Sequence, residues 1–124
     1  MILNKYQCGL DFGTSNTAIA ITDIHTRKSI FIENDSSVLH FKNTNDYVYS
    51  VGKAAINEYV SSDMSGRLLK SIKTLLKQKN FIHTFIFGKR FTPDELAALI
   101  IKHFKQQAEK AIGHEIEQVV LGRP

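Results

Sequence analysis

The chain has 124 residues, is 43% hydrophobic and 23% charged, carries a net charge of +4 and holds one cysteine. That size and balance fit a single globular core, and so modest a positive charge permits an anionic ligand without demanding nucleic acid. A lone Cys8 forms no internal disulfide and reads as a small buried side chain, no apolar run approaches the ~20 residues of a membrane span, and no signal-like succession opens the chain; redox, membrane and secreted classes are set aside and a cytoplasmic protein is expected.

Stretches 7–12 and 17–23 predict two strands, the first nearly all apolar and the second alternating Ala18 and Ala20 against Ile19 and Ile21. Short strands follow over 30–33, 38–41 and 47–51, with Asn34, Asp35, Asn43, Asn45 and Asp46 as turn residues. Residues 52–60 and 67–77 predict helices, the second with Leu68, Ile72, Leu75 and Leu76 at helical spacing. A strand over 82–87 precedes the longest element, a helix over about 93–112. Thr92, Pro93 and Glu95 supply its N-cap, first-turn proline and capping-box acid, and Gly113 ends it. Its apolar side is Ala97, Ile100, Ile101, Phe104, Ala108 and Ala111. An apolar run over 117–121 predicts a last strand that leads into Gly122, Arg123 and Pro124.

Hairpins first, then a long helical crossover back to the sheet, describe a mixed α/β domain. A final strand followed at once by a loop leaves nothing to cover it. The expectation is therefore a truncated piece of a longer domain, with an exposed edge through which it can self-associate.

Asp11-Phe12-Gly13-Thr14-Ser15-Asn16 holds more polar chemistry than a hairpin turn needs. Gly13 lets the backbone turn sharply and approach an oxyanion, and Thr14, Ser15 and Asn16 add donors, which together suit phosphate. An acid beside phosphate repels it unless a cation lies between. Mg²⁺ keeps several waters and uses one or two carboxylates plus phosphate oxygens, so Asp11 is a candidate to hold a hydrated Mg²⁺. Ordinary turn composition is the alternative reading of the same residues. The Walker pattern GxxxxGK[ST] and the dinucleotide fingerprint GxGxxG are both absent, and no kinase catalytic loop accompanies Asp11-Phe12-Gly13.

GLDFGTSNTAIAI resembles the first phosphate-binding motif of the actin-like ATPase superfamily, which includes sugar kinases, actin, hexokinase and the DnaK-type heat-shock protein 70 chaperones. Asn34-Asp35, Val51-Gly52-Lys53-Ala54-Ala55 and Ile72-Lys73-Thr74-Leu75-Leu76 resemble segments of the DnaK-type branch, although a proline usual in the strand after Asn-Asp is missing. Gly66-Arg67-Leu68, the helix after it and the terminal Val-Val-Leu-Gly-Arg-Pro look most like the YegD-like homologues, which lack the usual peptide-binding domain.

The resemblance implies a partial lobe I of a ribonuclease-H-like, actin-like ATPase, built from a phosphate-binding hairpin over 7–23, an insert of helices and strands over about 34–87, the long helix and the strand 117–121. It implies ATP or ADP with Mg²⁺ as ligands, Asp11 acting through metal-bound water, Gly13, Thr14, Ser15 and Asn16 contacting the β- and γ-phosphates, and Lys73 pointing at the γ-phosphate. Client or co-chaperone proteins are the implied partners. Half a cleft leaves the nucleotide wet and poorly positioned, so this chain alone is expected to hydrolyse ATP negligibly.

Other readings use the same core: an actin- or MreB-like filament subunit, or a sugar or other small-molecule kinase. Without the resemblance, Lys70, Lys73 and Lys77 read as a solvated basic stripe on one helical face. Nucleic-acid binding through them is not expected. His25, His40, His83, His103 and His114 show no metal-ligand spacing and default to surface or partly buried positions.

Overall fold

The computed structural model describes residues 5–44, 46–78 and 83–122. Its main sheet has four strands in the order β3-β2-β1-β9: β1 (Tyr6–Phe12), β2 (Asn16–Asp23), β3 (Ser29–Ser36) and β9 (Val120–Leu121). The first three form an antiparallel meander, and β9 joins parallel to β1 with Gly9 opposite Val120 and Leu10 opposite Leu121. A mixed sheet results, as the element order implies.

The alternation in β2 fixes which face is buried. Thr17, Ile19 and Ile21 are buried, as are Cys8 and Leu10 on β1, while Ala18 and Ala20 look the other way and stay half-buried. Helix α3 (Pro93–Ile112) covers the buried face with Leu96, Ala97, Ile100, Phe104 and Ala108. Leu96 joins the expected apolar side, whereas Ala111 is exposed and its neighbour Ile112 packs against the core in its place. The α3 caps are those expected: Thr92 Oγ1 accepts from Glu95 N–H, Glu95 Oε1 accepts from Thr92 N–H, and the left-handed Gly113 closes the other end. Burial pushes the Cys8 thiol up, which suits a packing residue.

A second sheet has the order β5-β4-β6, with β4 (Leu39–Phe41), β5 (Tyr49–Val51) and β6 (Arg67–Leu69), and α1 (Lys53–Ser61) packs against it. The short helix α2 (Ile72–Leu76) leans on α3, and β7 (Thr84–Ile86) pairs with β8 (Lys89–Phe91) as a separate hairpin.

Several expected boundaries change. The single helix over 67–77 is instead β6 followed by α2, divided at Ser71, whose left-handed φ of 56° interrupts a helix; Leu68 and Leu69 pair with β4 rather than completing a helical stripe. Asn34 and Asp35 do not turn the chain. They lie inside β3, and Asp35 Oδ1 accepts the Lys53 N–H that opens α1. Tyr47 has a positive φ of 54° and precedes β5 instead of starting it. Residue 82 of the strand expected over 82–87 lies outside the described residues, and Phe87 is in the turn before β8, a strand too short to register as a period. Of 117–121 only Val120–Leu121 is strand, since β1 offers partners only there.

His40 goes beyond the surface or partly buried position expected of it, being 1% exposed. Its Nδ1 lies 2.6 Å from Glu58 Oε1 and its Nε2 2.8 Å from the Ser65 carbonyl. Burial pushes the Glu58 carboxyl up, but His40, Lys42 and Ser50 together outweigh it and hold that carboxyl below its ordinary value. A carboxyl lowered by folding contributes stability above its unfolded pKa and loses it as pH falls through the folded value. Glu58→Gln is therefore expected to be less stable than the parent at neutral pH, with the gap closing in urea titrations as the pH drops below about 4.

Candidate phosphate-binding hairpin

The loop between β1 and β2 is short because Phe12 still pairs with Thr17, and the Gly13 N–H donates to the Asn16 carbonyl at 2.9 Å. A Cβ on Gly13 would stand 2.4 Å from that same oxygen, so only glycine closes the loop this tightly. Its own N–H is thus committed within the turn, which leaves the neighbouring N–H groups of Thr14 and Ser15 as the backbone donors of the loop.

What orients the remaining donors comes from another part of the chain. Ser37, between β3 and β4, is 2% exposed; its N–H donates to the Ser15 carbonyl at 2.9 Å and its Oγ to the Gly13 carbonyl at 2.9 Å. Since the Ser37 hydroxyl proton goes to Gly13, the Thr17 hydroxyl, 2.7 Å away and fully buried, donates to Ser37 Oγ. Two loop carbonyls are thereby turned inward and held. The N–H groups of Thr14 and Ser15, and the side chains of Thr14, Ser15 and Asn16, make no hydrogen bond among the described residues, and all three residues are exposed. A loop with two acceptors tied back and exposed donors left over has the chemistry that an anion-binding concavity needs.

Asp11, exposed at the end of β1, adjoins this loop. The neighbouring strand end comes close beside it: Gly122 N–H donates to the Leu10 carbonyl at 2.7 Å, and a Cβ on Gly122 would be 3.6 Å from Asp11 Cβ. The carboxyl ends of parallel β1 and β9 thus meet at the hairpin, the sheet end at which α/β proteins bind ligands. Among the described residues no three His, Cys, Asp or Glu side chains converge as a metal cage. A single solvent-facing carboxylate fits a cation that keeps its waters and takes its other ligands from phosphate.

Asp11, Gly13, Thr14, Ser15 and Asn16 therefore share one hairpin tip, whereas Lys73 stands apart on α2. No hydrogen bond or ion pair joins Lys73 to the hairpin or to any carboxylate among the described residues. Its half-buried position distinguishes it from exposed Lys70 and Lys77, and Lys70 lies before the helix, so the three do not form the expected basic stripe. Thr17 and Ser37 are the residues that sequence patterning misses. Their hydroxyls are separated by twenty positions and only the pairing of Asn16 with Ser36 reveals their meeting.

A family model described as Hsp70 protein matches residues 42–124. The chaperone protein DnaK of Mycoplasmopsis agalactiae is 31% identical over 122 residues, an alignment that takes in 94% of this chain and 19% of that protein. DnaK of Ureaplasma urealyticum is 32% identical with the same coverage, and DnaK of Mycoplasmopsis pulmonis 29%. The chain spans about a fifth of the length of these curated relatives.

Proposed function

The chain belongs to the Hsp70 protein family, and from that premise we propose that it forms the N-terminal part of lobe I of an actin-like, ATP-binding and ATP-hydrolysing chaperone domain. The observation that carries this reading is the hairpin loop whose Gly13 and Ser15 carbonyls are held by Ser37 while the Thr14 and Ser15 N–H groups make no hydrogen bond among the described residues. In this reading Gly13, Thr14, Ser15 and Asn16 contact the β- and γ-phosphates, Gly13 through the close backbone approach that its missing side chain allows. Asp11 holds Mg²⁺ through water, and the cation when bound offsets the charge of the phosphate oxygens beside that carboxylate. Lys73 serves the γ-phosphate end. ATP or ADP and Mg²⁺ are the ligands, and a client or co-chaperone protein is the partner that the nucleotide state would control. The narrower YegD-like assignment rests on Gly66-Arg67-Leu68, the helix that follows and the chain's last six residues, and stays part of the proposal.

Calorimetric titration of the protein in its natural length tests the reading. Asp11→Ala is expected to weaken Mg·ATP binding about tenfold, since one water-mediated metal contact is lost, and to leave binding of metal-free nucleotide in EDTA unchanged. A natural-length protein with no affinity for any nucleotide would reduce the hairpin to a turn.

A further inference from the structure

From Met64 to Pro93 the sequence holds seven Lys or Arg residues and not one Asp or Glu, although the whole chain has a net charge of only +4. The positive charge is therefore concentrated in one segment, and the β7–β8 hairpin presents the part of it that is mixed with apolar surface. Phe85 is 58% exposed and faces Arg90 directly across the pair, while Phe87 in the turn is 39% exposed. Arg67 lies along the β7 side, where its guanidinium donates to the Phe85 carbonyl at 3.1 Å and the Thr84 hydroxyl at 3.4 Å. His83 sits edge-on to Phe85 at 5.1 Å, and its buried Nδ1 has no hydrogen-bond partner among the described residues.

The turn is built against its own preference. Phe87 has a φ of 48° ahead of Gly88 at 84°, the two positive values of a type I′ turn, a place where Asn serves far better than an aromatic residue. Folding alone does not explain an exposed Phe there, and strain of this kind points to use. Among the described residues the hairpin is a sheet of two strands and the outer edge of β8 has no strand partner, while Arg67 and the Tyr47 hydroxyl, which donates to the Phe87 carbonyl at 2.8 Å, occupy the β7 and turn carbonyls.

We propose that this hairpin is a docking surface for an extended acidic segment of a partner protein. The segment adds to the β8 edge, places apolar side chains on Phe85 and Phe87, and sets carboxylates against Arg90 and the exposed face of Arg67. Nucleic acid fits less well because the cations are few and partly engaged: Arg67 is hydrogen-bonded as above, and the Lys89 ammonium lies 5.1 Å from the centres of both the Tyr47 and Phe91 rings. The Glu95 carboxylate is held to the Thr92 N–H and feels Lys89 and Arg90 without forming an ion pair with either. This surface is independent of the nucleotide reading.

The test is fluorescence anisotropy with the purified full chain and three labelled probes: a peptide alternating Glu with Val and Phe, the same peptide with Lys for Glu, and an oligothymidylate. The Glu peptide is expected to bind at least about tenfold more tightly than the Lys peptide and the oligothymidylate, and Arg90→Glu to weaken it by about tenfold or more. Phe87→Asn separates a docking role from a structural one, since it should raise the melting temperature by a few degrees while weakening the Glu peptide about fivefold. Tighter binding of the oligothymidylate, no binding of the Glu peptide, or unchanged peptide affinity in Phe87→Asn would each overturn the proposal.

Discussion

Lys73→Ala is expected to lower ATP turnover by the natural-length protein about 10²–10³-fold while changing Mg·ATP affinity little. A cation placed where charge develops on a transferring phosphoryl group acts mainly in the transition state, so its loss appears in turnover more than in binding. The competing account is a solvated lysine that serves only solubility. The structure makes the two separable, because Lys73 is half-buried beside the fully buried Ile72 whereas Lys77, at the end of the same helix, is exposed. Lys77→Ala is accordingly expected to leave turnover within about twofold of the parent, the usual outcome for a surface cation. Single-turnover measurements on both variants decide it. Equal losses would mean that the segment contributes only general positive charge, and no loss in either would remove Lys73 from the site.

What could be read in advance follows the range of the interactions involved. The β1–β2 hairpin and α3 are specified by neighbours in sequence: alternation of Ile19 and Ile21 against alanines, and a capping box closed between Thr92 and Glu95. The region over 67–77 was opaque for the opposite reason. Leu68, Ile72, Leu75 and Leu76 satisfy a helical period, but Leu68 and Leu69 gain more by pairing with His40 and Leu39, and Ser71 takes a left-handed conformation that ends the period. Tertiary pairing overrode local pattern there. In the candidate site, Asp11 and Gly13 through Asn16 were visible because one turn concentrates them. The Thr17–Ser37 hydroxyl pair that orients the loop was hidden, since its two halves meet only after β2 and β3 have found their register. Asn34 and Asp35 show the same limit. Their composition fits a turn, yet the Asp35 carboxylate accepts the first N–H of a helix that opens eighteen residues away.

Gly66→Ala, just before β6, is expected to cost roughly 3–4 kcal/mol from left-handed strain plus overpacking. Gly66 has a φ of 89°, and a Cβ there would stand 2.3 Å from the Phe41 carbonyl oxygen and 2.6 Å from His40 Nε2. Neither neighbour can yield easily. Phe41 is a 1% exposed residue of the central strand β4, packed on Tyr49 and Phe91, and His40 is held at both ring nitrogens. A carbonyl oxygen only accepts, so the Nε2 bond to Ser65 needs a proton on that nitrogen, and the short contact of Nδ1 with the Glu58 carboxylate needs a second proton between them. Displacing the ring would break both bonds and leave a buried imidazole without partners, which is why the added methyl reaches beyond its own contacts. Gly113→Ala supplies the control: its φ of 80° carries the same backbone penalty, but nothing lies within 4 Å of the added carbon. Urea unfolding of the two variants should therefore differ by about 2–3 kcal/mol, with Gly113→Ala costing only about 1. Equal losses would show that the space beside His40 relaxes freely, and that the His40–Glu58 pair is not the fixed wall against which β6 is set.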